Sequence, residues 1–141
     1  MKPKVILGVG LIALAVWGIN CQLSHAAEGG RRAATQTFMR MKLAWSQTIL
    51  EGLTLEKFDE VSKNAIRLRN MTVSNAWFVI SQPDYMASTT NFQRSVDALY
   101  LAAVDKNLDG ATEAYQKVMK SCVECHRLVR LDQRKPTVQE Q

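Results

Sequence analysis

Proline and glycine are scarce: three and seven in 141 residues, and the glycines follow no period. That excludes a collagen-like or low-complexity chain. It also argues against a sandwich or barrel of many short strands, which needs a turn signal about every ten residues. Cysteine is scarce too, and three in the whole chain do not make a disulfide scaffold. The charge imbalance is only +5, with no basic stripe of the kind a nucleic-acid surface needs. No Ser/His/Asp arrangement, phosphate-binding glycine loop or carboxylate pair stands out, so the chain does not read as an enzyme. What is present is one domain's worth of globular sequence, 47% hydrophobic and 22% charged.

The first segment reads as separate from the fold. Lys2 and Lys4 precede fifteen residues, Val5 to Ile19, that are all apolar or glycine. A short polar stretch follows and ends in Ser24-His25-Ala26, with small residues where a signal peptidase wants them. The expectation is a signal peptide over 1–26, cleaved after Ala26, and a periplasmic mature chain over 27–141. The competing reading is an uncleaved anchor, but fifteen apolar residues fall short of the roughly 20 that span a bilayer. A lipoprotein signal would need a small residue before Cys21, and Asn20 is not one. Removal of 1–26 takes away Lys2 and Lys4 and lowers the net charge from +5 to +3.

Four stretches of the mature chain show helical periodicity. Over 31–51, Met39, Leu43, Leu50 and Leu53 form one stripe, and Phe38, Met41, Trp45 and Thr48 an adjacent one. Gly52 sits where a C-cap is wanted, and Thr54 offers an N-cap for a second helix over about 55–80, with a bend near 71–74. Gln82-Pro83-Asp84 ends that helix. Ser88, Thr89 and Thr90 supply caps for a third, which carries Phe92, Val96, Leu99 and Ala103. A fourth runs over about 110–130. The fold class expected is all-α, an antiparallel up-down-up-down four-helix bundle.

The mature chain holds two cysteines and one histidine, all within Cys122-Val123-Glu124-Cys125-His126. This is C-x-x-C-H, the attachment signature of c-type heme. On a helix, positions i and i+3 share a face, so both thiols reach one porphyrin, and His126 follows closely enough to serve as proximal iron ligand. Three rival readings are weaker. A zinc site wants four ligands, a thioredoxin-like dithiol wants a βαβ context, and a plain disulfide needs nothing else. The expected cofactor is one covalent heme c held by Cys122, Cys125 and His126.

The motif lies on the last helix, near the C-terminus. A C-terminal C-x-x-C-H on the fourth helix of an exported bundle resembles the class II cytochromes, the cytochrome c′ family. The resemblance covers most of residues 31–131, and only the last helix carries a specific motif. It implies a basic residue four positions after the histidine, beside the proximal heme face; Arg130 fills that place, with Arg127 nearby. The alternative for both is a solvated last turn favoured by the helix dipole. Family members have an aromatic residue before this arginine, whereas this chain has Val129.

A second histidine is lacking in the mature chain, so bis-histidine ligation within one chain is excluded. The resemblance implies either an open distal side or a methionine from the first helix. Aligning Gly52 with the small residue that ends this helix in the low-spin members puts Met39 at the ligand position, on a face shared with Leu43 and Leu50. Met41 is the second choice, and both methionines as core fillers, with no protein ligand, is the third. The expected function is a periplasmic carrier of single electrons between redox partner proteins. The alternative is a five-coordinate binder of NO or CO. The resemblance also implies a homodimer through the first two helices. Nucleic acid and stable membrane insertion after signal cleavage are not expected.

Overall fold

The computed structural model describes residues 29–30 and 32–134, apart from the side chain of Asn75. The expected signal segment 1–26 lies outside the described residues, as does Cys21. The chain divides into two compact units, Met1–Thr37 and Phe38–Gln141. In the first, residues 29–30 and 32–37 are helical.

The second unit holds α1 (38–54), α2 (Phe58–Met71), a 3-10 turn (Asn75–Trp77), α3 (Pro83–Val104) and α4 (Leu108–Gln133). No strand occurs among the described residues. Helix α2 packs on α3, and α3 on α4. The heptad-like spacing explains why. α3 buries Tyr85, Thr89, Phe92, Val96, Leu99 and Ala103 at alternating steps of four and three. α4 buries Ala111, Ala114, Tyr115, Val118 and Ser121, and Cys122, Cys125 and Val129 continue that stripe half-buried. The buried stripe of α2 runs Val61, Ala65, Leu68 and Met71.

Two of the three links are one turn built twice. After α1, the Lys57 N–H donates to the Gly52 carbonyl at 2.8 Å and the Glu56 N–H to Leu53 at 3.4 Å. After α3, the Asn107 N–H donates to Ala102 at 2.9 Å and the Lys106 N–H to Ala103 at 3.1 Å. Both are Schellman turns, a motif that usually puts glycine in the left-handed position. Here Glu56 (φ 53°) and Lys106 (φ 54°) take it. Gly52 is therefore not the cap but an interior residue of α1. A Cβ there would lie 2.8 Å from Val61 Cγ2, so the glycine lets α1 and α2 approach closely. Nor does Thr54 cap the second helix: it closes α1, and its hydroxyl donates to the Glu51 carbonyl at 2.8 Å.

The third link differs from expectation. α2 stops at Met71, where the sequence suggested only a bend, and the stretch to Gln82 contains a single 3-10 turn. Thr72, almost wholly buried, fixes this exit. Its hydroxyl donates to the Arg69 carbonyl at 2.8 Å and accepts from Gln93 Nε2 at 2.7 Å. Pro83 does not end a helix but begins α3. Its fixed φ suits the first helical position, where its missing N–H costs nothing. The Ser88–Thr90 run thus falls inside α3, with Thr89 Oγ1 donating back to the Tyr85 carbonyl at 3.0 Å.

The inward face of α1 is also rotated from the expected one. Leu43 (56% exposed) and Leu50 (51%) point to solvent, as does Met41. The buried line is Phe38, Lys42, Ser46, Ile49 and Leu53, at steps of four, four, three and four. A lysine and a serine within that line hid it from a purely hydrophobic count.

Candidate functional site

The C-x-x-C-H segment occupies the second half of α4. Helical spacing puts Cys122 and Cys125 one turn apart on the side that packs against the core, and both are free thiols. Between them Val123 is 56% exposed, and Glu124 lies 3.9 Å from Lys120 on the outer face. His126 and Arg127 reach solvent, as does Arg130 in the last turn, where a cation complements the helix dipole.

The interior beside the two thiols is built from aromatic rings and polar groups. Trp77 is 2% exposed and its indole N–H donates to Thr89 Oγ1 at 2.9 Å. Its ring stands 5.1 Å from Phe92 and 6.5 Å, edge-on, from Phe38. The Tyr85 hydroxyl donates to the Trp77 carbonyl. Tyr115, on α4, donates to the Ser46 carbonyl of α1 at 2.8 Å. Lys42, from α1, places its ammonium 4.3 Å from the centre of Trp77 and 4.1 Å from that of Phe92.

Burial dominates the electrostatics here. It pushes the Tyr85 and Tyr115 hydroxyls up, each further raised by a neighbouring cysteine. It pushes the Cys125 thiol up as well, against the opposing pull of the Lys42 charge and the Tyr85 hydroxyl. The Lys42 ammonium is pushed down by desolvation, with Cys122 and Cys125 pulling the other way. Desolvation also lowers His126, helped by the charges of Lys42 and Arg130, which favours the neutral imidazole.

Of the residues singled out by sequence, Cys122, Cys125 and His126 lie together, and Arg130 lies one turn further along the same helix. Met39 is half-buried against the core, next to Phe38, while the outward turn of Leu43 and Leu50 removes the shared face on which its inward aim was argued. Lys42 and Tyr85 were missed. Tyr85 could have been found as the first member of the stripe that continues through Thr89 and Phe92. Lys42 could have been found as the residue one turn from both Phe38 and Ser46, although a lysine ordinarily reads as solvent-facing.

A separate groove of about 620 Å³ is lined by Leu50, Leu53, Leu108, Tyr115 and Met119, and no motif residue lines it. Among the described residues no cluster of three or more His, Cys, Asp and Glu side chains is arranged to hold a metal ion. Nor is any described helix long and apolar enough to cross a membrane. No family model, curated protein or solved structure matches the chain.

Proposed function

We propose that the chain is an exported class II-type cytochrome c that carries single electrons between periplasmic or membrane redox partner proteins. The observation that carries this reading is the pair of free thiols, one turn apart on the core-facing side of α4, with His126 directly after them. The donor set fits a covalent heme c. Cys122 and Cys125 would form the thioethers, and His126, held toward its neutral form, would supply the proximal nitrogen. Trp77, Phe92 and Tyr85 belong to the buried core against which the thiols pack. When bound, the heme supplies a one-electron iron couple; the chain's part is to tether it, exclude water and set its potential.

Met39 is the proposed sixth ligand and Arg130 the proposed neighbour of the proximal face. The supporting architecture is an antiparallel up-down-up-down bundle. Its register supports that order: Ser46 meets Tyr115, whereas Leu53 and Thr54 share a groove with Leu108 and Asp109. Likewise Arg69 pairs with Asp97 at 2.9 Å and Thr72 with Gln93. A signal peptide over 1–26 completes the reading. A dithiol redox role fits less well, because burial holds Cys125 protonated and a reactive thiol needs a lowered pKa.

Purified periplasmic protein should carry one heme that survives a denaturing gel, and Cys122→Ala/Cys125→Ala should abolish it. A mass equal to that of the bare polypeptide sinks the proposal. Met39→Ala should turn a low-spin spectrum high-spin and open the iron to CO, while Met41→Ala should leave the spectrum nearly unchanged. A wild type already high-spin and CO-binding would instead favour the five-coordinate gas binder.

A further inference from the structure

Lys42 is the one lysine on the buried line of α1, 7% exposed in all. Buried cations normally meet a carboxylate. The ion pairs among the described residues are Arg69–Asp97, Lys117–Glu113 and Lys120–Glu124, and none involves Lys42. Its ammonium instead rests over two rings, Trp77 and Phe92, each within the range of a cation–π contact. Two ring faces, and no carboxylate among the described residues, meet that charge. It is also beside the motif: Cys122 and Cys125 pack against the core cluster that holds Trp77 and Phe92.

We propose that Lys42 is a fixed interior cation that raises the reduction potential of the group tethered to Cys122 and Cys125, a positioning role that rests on the heme reading above. Gaining one electron removes one positive charge at the iron, the electron coming from the redox partner. A buried cation nearby therefore favours the reduced form by Coulomb's law, and more strongly where water is excluded than at the surface. Ser46 meets Tyr115 and Leu53 shares a groove with Leu108, and the same register sets Lys42 level with the turn of α4 that precedes Cys122. Lys42 stands one turn past Met39, so it can act on the centre without replacing the sixth ligand.

Redox titration of the full heme-loaded protein tests this, with oxidised and reduced spectra recorded for wild type, Lys42→Met and Lys42→Arg. Lys42→Met should lower the equilibrium constant for reduction on the order of tenfold, about 59 mV for a one-electron couple, with the spin state unchanged. Lys42→Arg, which keeps the charge, should stay near wild type. An unmoved potential in Lys42→Met overturns the proposal. So does a spin-state change in that variant, which would make Lys42 an iron ligand. If Lys42→Met does not accumulate with heme, Lys42→Gln carries the same comparison. A wild type with no heme band refutes the heme reading itself, and that outcome is distinct from a heme protein whose potential ignores Lys42.

Discussion

The interior of the bundle changes character along its length. Near the two Schellman turns it is mostly hydrocarbon: Ile49, Leu53, Val61, Ala65, Leu99, Ala103 and Ala111, nearly all without exposure, with Asn64 the buried polar side chain among them. Beside the C-x-x-C-H segment it holds Trp77, Tyr85, Phe92, Thr89 and an ammonium. The first region is fixed by shape, since close-packed aliphatic side chains leave no slack. The second is fixed by directed contacts: an indole on a hydroxyl, a phenol on a carbonyl, a cation on two rings. Such groups are costly to bury without partners, and among the described residues no buried side-chain nitrogen or oxygen lacks one.

That contrast can be broken most severely at Leu99, which is fully buried in the hydrocarbon region. Leu99→Ala should cost about 2–5 kcal/mol of unfolding free energy, read by denaturant melts. A loss below 1 kcal/mol would mean that this region is as adaptable as the other. Gly52→Ala should come next. The added methyl meets Val61 Cγ2 at 2.8 Å, and overpacking of this kind costs about 1–3 kcal/mol. A neutral melt would show that α1 and α2 part freely. The smallest effect belongs to the polar region. Tyr85→Phe keeps the ring and deletes the bond to the Trp77 carbonyl, which still accepts from the Val79 N–H at 3.1 Å. The expected loss is about 0.5–1.5 kcal/mol; a larger loss than Leu99→Ala would invert the comparison.

How legible each region was in the sequence follows the same division. The stripe Phe92–Ala103 could be read directly, because its apolar spacing is regular and its face is the one buried, and Tyr115 and Val118 follow the same rule on α4. The C-x-x-C-H segment stood out for a different reason: the spacing of two thiols and an imidazole is itself chemical information. What could not be read was the face of α1. Leu43 and Leu50 look like core residues and lie in solvent, while Lys42 and Ser46 look like surface residues and lie inside. Their placement depends on partners such as Trp77 and Tyr115, which are remote in sequence. The break after Met71 was hidden likewise, since Thr72 is held by Gln93 from another helix. Pro83 was misread because the same residue can stop one helix or start the next.

The duplicated turn also bears on the order in which the chain can assemble. Each Schellman turn joins its two helices within a few residues, so the α1–α2 and α3–α4 hairpins close at little entropic cost. The bond from Tyr115 to Ser46 spans 69 residues, and the contacts of Lys42 with Trp77 and Phe92 also join distant segments. Local closures precede distant ones when both draw on the same chain freedom. The hydrocarbon ends of the hairpins are therefore early structure, and the polar chamber around Lys42 is sealed late. In kinetic terms the C-x-x-C-H segment of α4 stays reachable for longer than the rest of the interior, which is what the covalent attachment proposed above would require.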